Sequence, residues 1–163
     1  RRLALAIAAL LGLANLARGV ARDLEWRDDV TLFAQAVRDA PKSARAWSNY
    51  GAALRTEKRL DEAKRALETA VTIAPLWASP KTLLGVTHDA LARPDLAEPL
   101  LRAAVALDPR DRASSYNFAL FLARRGRPGD GAAVLRTHLG KRAGDERTRS
   151  LLEHLERDAA SRR

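Results

Sequence analysis

Residues 44–77 read ARAWSNYGAALRTEKRLDEAKRALETAVTIAPLW, and this stretch decides how the rest of the chain is read. Its proline signal is Ile73-Ala74-Pro75. Asp39-Ala40-Pro41 stands 34 residues earlier and Leu107-Asp108-Pro109 stands 34 residues later. Two equal steps of this size mark an internal repeat whose units are too small to bury their apolar faces alone, and which therefore stack. With the proline at position 32, Trp47, Tyr50, Leu54 and Leu67 occupy positions 4, 7, 11 and 24. Gly51, Ala63 and Ala70 occupy positions 8, 20 and 27. Large side chains at the first set fill the layer between units, and small ones at the second let two helices of one unit approach closely. The proline cannot continue a helix, so the chain turns there.

The register extends in both directions. A second unit over 78–111 places Leu84, Gly85, His88, Ala97, Leu101 and Ala104 at positions 7, 8, 11, 20, 24 and 27. A third over 112–145 keeps Phe118, Ala119, Leu122 and Leu135 but has Gly131 at 20, His138 at 27 and no proline at 32, so it is read as degenerate. Helices are expected at about 44–57 and 60–73, 79–91 and 95–107, and 112–124 and 128–140. Pro80 and Pro94 fall at or just before helix starts, where a missing N–H costs nothing. Pro99 falls early in a helix and is expected to disturb its first turn. Upstream, 23–43 reads as a half-unit with a helix over about 28–39. Downstream, 146–163 reads as an amphipathic capping helix and tail, with Leu151, Leu152 and Leu155 covering the last unit.

This pattern over about 34–145 resembles the tetratricopeptide repeat. The resemblance implies an all-α fold, a right-handed superhelical solenoid of antiparallel helix pairs. It also implies a concave binding face lined by positions 2, 5, 9, 12 and 13 of the first helix of each pair. The residues expected to meet a partner there are Arg45, Ser48, Ala52 and Arg55 in the first repeat, Thr82, Val86 and Asp89 in the second, and Tyr116, Leu120 and Arg124 in the third. One subclass grips a peptide's C-terminal carboxylate through Lys and Asn at positions 5 and 9 of its first repeat. Ser48 and Ala52 stand there, so that clamp is not matched. Asn49 and Asn117 at position 6 read as structural.

Residues 3–17, LALAIAALLGLANLA, are apolar all round, unlike the amphipathic helices downstream. A helix of that length spans about 22 Å, short of the roughly 30 Å hydrocarbon core. Three readings stay open: a transmembrane helix with Arg2 and Arg18 at its ends, a signal peptide with Arg1-Arg2 as its basic start, or the first helix of a capping half-repeat. The run from this helix through Arg18, Arg22, Trp26-Arg27-Asp28-Asp29, Leu32-Phe33, Ala36 and Pro41 into the repeats also resembles a known junction. It is the one before the C-terminal repeats of protein-O-mannosyltransferase-like membrane glycosyltransferases. In that class the repeats face away from the cytosol and the catalytic acids lie in membrane-domain loops, so no catalytic residue carries over to this chain. The sequence also lacks Met at position 1, which reads as a start inside a longer reading frame or at a processing site.

Composition narrows the chemistry. With no Cys, disulfides, thiolate metal sites and cysteine nucleophiles are excluded. The net charge of +9 would suit an anionic partner such as nucleic acid, but the basic residues alternate with acids, as in Lys58, Arg59, Asp61, Glu62, Lys64, Arg65 and Glu68. That is a solvated helix face with i,i+3 and i,i+4 pairs, so no specific nucleic acid is expected. His88 and His138 take packing positions and have no paired nucleophile, and no metal, cofactor or phosphate-binding motif is present. The expectation is a non-catalytic scaffold that binds a protein or peptide segment in the concave groove. The alternative is the extracytoplasmic repeat region of a membrane glycosyltransferase that positions acceptor proteins. Localisation follows the same split, membrane-anchored with the repeats outside or soluble in the cytoplasm.

Overall fold

The computed structural model describes residues 29–141 and 145–161. The apolar segment 3–17 and the junction's residues through Asp28 lie outside them. Among the described residues there are eight helices: α1 (Asp29–Asp39), α2 (Ala44–Thr56), α3 (Leu60–Ile73), α4 (Ala78–Ala90), α5 (Pro94–Leu107), α6 (Arg112–Arg124), α7 (Pro128–Lys141) and α8 (Glu146–Ser161). Each boundary falls within about a turn of the 34-residue register, and no strand occurs among the described residues. None of these helices is long and apolar enough to cross a membrane.

Consecutive helices pack in antiparallel pairs, and α2, α4, α6 and α8 also touch one another in series. No comparable contact joins α3 to α5 or α5 to α7 among the described residues. The array is therefore tighter on the α2–α4–α6–α8 side, which becomes the inner, concave face. Helix α8 stands where the first helix of a fourth repeat would stand, with buried Leu155 packed on Ala119, Ala132 and Leu135.

The pairs close through small residues. An added Cβ on Gly51 would sit 2.5 Å from Leu67 Cγ, and one on Gly85 would sit 2.8 Å from Leu101 Cγ. Both leucines are fully buried. In the third repeat the small residue has moved across the crossing. Ala119 holds position 8, and Gly131 at position 20 faces it, its added Cβ falling 2.8 Å from the Ala119 carbonyl oxygen. The degenerate position is thus a swap that preserves the close approach.

Helix ends repeat with the same period. Ser43, Asp111 and Asp145 precede inner helices, and their side chains accept the N–H three residues on, from Ala46 (3.2 Å), Ser114 (2.9 Å) and Thr148 (3.2 Å). In the second repeat the N-cap residue is Trp77 and makes no such bond. The indole has no acceptor with which to cap, and none is needed three residues on, because Pro80 has no N–H. The inner helices end alike, with Arg59, Arg93 and Arg127 N–H bonded to the carbonyls of Leu54, His88 and Leu122, all at 2.9 Å. This turn requires left-handed backbone at the residue before, and Lys58 (φ 59°), Ala92 (φ 57°) and Gly126 (φ 76°) supply it. Pro99 leaves α5 unbroken, because it lies on an exposed face where water can take up the Asp95 carbonyl it cannot bond.

Two stability changes of opposite sign follow. Gly51→Ala would gain helix propensity but drives a Cβ into Leu67, so a net loss of about 1–3 kcal/mol is expected, read by urea titration. Ala92→Gly relieves the left-handed strain and should stabilise by about 0.5–1 kcal/mol, visible as a raised unfolding temperature.

Candidate functional site

The concave face is built from the inner helices, and the sequence-predicted partner residues divide there into three groups. Arg45 is exposed, and Ala52, Val86 and Leu120 are half-buried, forming a mostly apolar floor. Ser48 and Thr82 are buried, being only 2% and 3% exposed. Thr82, at position 5, meets Ser114, at position 3 of the next inner helix. Thr82 Oγ1 lies 2.7 Å from Ser114 Oγ and donates to the Ala78 carbonyl at 3.2 Å. Tyr116, at the same position in the third repeat, stays half-buried, with the Arg147 guanidinium of α8 over its ring at 5.8 Å.

Asp89 and Arg124 form the third group, for they meet each other. Arg124 donates to Asp89 Oδ2 at 2.6 Å and Arg125 to Oδ1 at 2.7 Å, an ionic brace from one repeat to the next. Arg125 and Arg147 were missed by the positional list. Arg125 stands one residue beyond its last position, and Arg147 sits on the capping helix at the equivalent of position 2. Arg55 is half-buried on this face, and its Nε–H has no hydrogen-bond partner among the described residues. Asn117 donates to the Ala113 carbonyl at 2.8 Å, a structural role, whereas Asn49 is exposed.

A shallow cleft of about 790 Å³ opens between α5 and α6, its apolar part formed by Pro94, Pro99, Ala103, Ala106 and Phe121 and its charged part by Asp95, Glu98, Arg102 and Arg125. There, hydrogen bonds from Arg127 and Arg102 hold the Glu98 carboxyl below its ordinary range against a smaller upward push from burial. Because Arg127 also binds Asp130 at 2.7 Å, this network ties α5 to α7. No His, Asp and Glu cluster among the described residues is placed to hold a metal ion.

Two histidines are buried. His138 Nδ1 lies 3.4 Å from the Pro109 carbonyl and Nε2 3.4 Å from Asp145 Oδ2. Burial pushes the Asp145 carboxyl up, but hydrogen bonds from the Thr148 hydroxyl and N–H, then His138 and the nearby charge of Arg112, hold it below its usual value. His88, 6% exposed, has a buried Nδ1 without a partner among the described residues.

The tetratricopeptide-repeat family model matches residues 25–76 and 82–146. The chain belongs to that family. Among solved tetratricopeptide-repeat structures, TTC0263 of Thermus thermophilus superposes with a TM-score of 0.69 at 23% identity, covering 86% of this chain and 78% of that one. YrrB, described as a tetratricopeptide-repeat protein with an unusual peptide-binding site, gives 0.58 at 19% identity, covering 90% and 82%. An O-GlcNAc transferase of Thermobaculum terrenum gives 0.61 at 30% identity, covering 72% of this chain and 22% of that one. No curated protein matches the sequence.

Burial pushes the His88 imidazole below its ordinary value; Glu68 opposes this, Lys64 and Arg93 reinforce it, and Asp95 opposes it. The unfolded chain, with His near about 6.5, then binds more protons than the folded one as the medium acidifies. Stability should be full above that pH, fall as pH drops below it, and level off once His88 protonates in the fold. His88→Leu should flatten this loss below about pH 6.5 in denaturant titrations, without altering the separate loss from carboxylates in the more acidic range where Asp and Glu titrate, near about pH 4.

Proposed function

We propose that this tetratricopeptide-repeat chain is a non-catalytic protein-interaction scaffold that holds a peptide or protein segment in its concave groove. The carrying observation is the inner face itself, where Ala52, Val86 and Leu120 stay half-exposed from successive inner helices beside the exposed Arg45 and Arg124. An apolar floor rimmed by cations suits an extended or helical segment that buries side chains and orients them by charge. A peptide-binding site described for YrrB, which shares the fold, supports the reading. The groove lacks Lys and Asn at positions 5 and 9, so recognition does not run through a terminal carboxylate clamp.

A second reading sets the same groove beside a glycosyltransferase, outside the cytosol, with acceptor proteins as the bound segments. Its support is the 30% identity to the Thermobaculum terrenum O-GlcNAc transferase together with the hydrophobic run and Trp26 junction ahead of the repeats. In that setting the captured protein is the acceptor, so one experiment addresses both readings.

Benzoylphenylalanine in place of Leu120, on the inner face, should cross-link a partner on illumination. The same probe in place of exposed Arg65, on outer helix α3, should give none. Adducts from the outer position alone would overturn the groove as the binding face.

A further inference from the structure

The charge ladder along the inner face is incomplete at one rung. Asp89, at position 12 of the second repeat, is met by Arg124 and Arg125, which stand 35 and 36 residues further on. The same interval from Arg55, position 12 of the first repeat, leads to Ala90 and Leu91, which carry no carboxylate. The Arg55 guanidinium makes no ion pair among the described residues, and its Nε–H is buried without an acceptor. A half-buried guanidinium with no carboxylate partner inside the fold can pair with one from a bound chain.

The surrounding charge is mostly positive. Across the three repeats, groove positions 2, 5, 9, 12 and 13 carry Arg45, Arg55, Arg124 and a single carboxylate, Asp89, already shared between two guanidiniums. Arg45 and Arg55 lie ten residues apart on one helix, about 15 Å along its axis. An extended chain covers that distance in about four to five residues. Half-buried Ala52 lies between them, with Val86 on the neighbouring inner helix.

We propose that the groove selects acidic segments, in which one Glu or Asp side chain of an extended peptide answers Arg55 and a second, four or five residues away, meets Arg45. This rests on the concave face being the binding face. A carboxylate on a guanidinium is a charge-assisted contact, stronger than a neutral one, and Arg55 has no carboxylate of its own among the described residues to compete for it.

The test uses the full chain and a fluorescein-labelled peptide of alternating Glu and Leu, about twelve residues long, beside its Gln-for-Glu counterpart. Anisotropy titration at low salt should show the Glu peptide binding about tenfold more tightly than the Gln peptide. The preference should shrink at about 0.3 M salt. Arg55→Gln should remove most of the preference, and Arg45→Glu, at an exposed site that leaves the core intact, should weaken the Glu peptide and spare the Gln peptide. Arg65→Gln on the outer face should change nothing.

Equal binding of the two peptides, or a preference that survives both Arg55→Gln and Arg45→Glu, overturns the proposal. If both peptides then still cross-link at position 120, the groove reading stands and only its acidic selectivity falls. If they cross-link only from position 65, both fall.

Discussion

The close crossing of the two helices within each repeat is the constraint on which everything else in this chain depends. Leu67 fits over Gly51 and Leu101 over Gly85 with no room for a Cβ. Each crossing brings two backbones near enough for an apolar layer to close between them, and stacked layers make the core. The third repeat shows that the constraint is on the pair rather than on either residue, since Gly131 and Ala119 exchange sizes across the same gap. With the crossings fixed, inner helices contact inner helices, outer ones splay, and a concave face results.

Most of this was legible in the sequence because a 34-residue period constrains each element several times over. Pro41, Pro75 and Pro109 set the phase, small residues set the crossings, and the helix ends followed. Two features escaped because they depend on partners across the register. Trp77 at a cap position looks anomalous until Pro80 is seen to remove the donor that a cap would serve. Gly131 looks like decay until it is set against Ala119.

The site was less legible than the fold, for a physical reason. A positional list states which way a side chain points from its own helix but not how closely the next repeat approaches. Ser48 and Thr82 are buried at groove positions, and Thr82 commits its hydroxyl to Ala78 and to Ser114 of the next repeat. Asp89 and Arg124 were expected to meet a partner and instead meet each other. Arg55, at the same position as Asp89, is left open because the next repeat offers Ala90 and Leu91 in place of arginines.

The pairings between neighbouring repeats carry a further consequence. Thr82 with Ser114, and Asp89 with Arg124 and Arg125, occur at the junction of the second and third repeats, and the first repeat has no residues to reproduce them. Units that share one backbone plan are therefore not interchangeable. Exchanging the first and second would leave Asp89 facing the wrong neighbour and strand its charge near the packed interior, where an unpaired carboxylate is costly. The tandem array thus carries its own order, keyed junction by junction, although every unit follows the same 34-residue template.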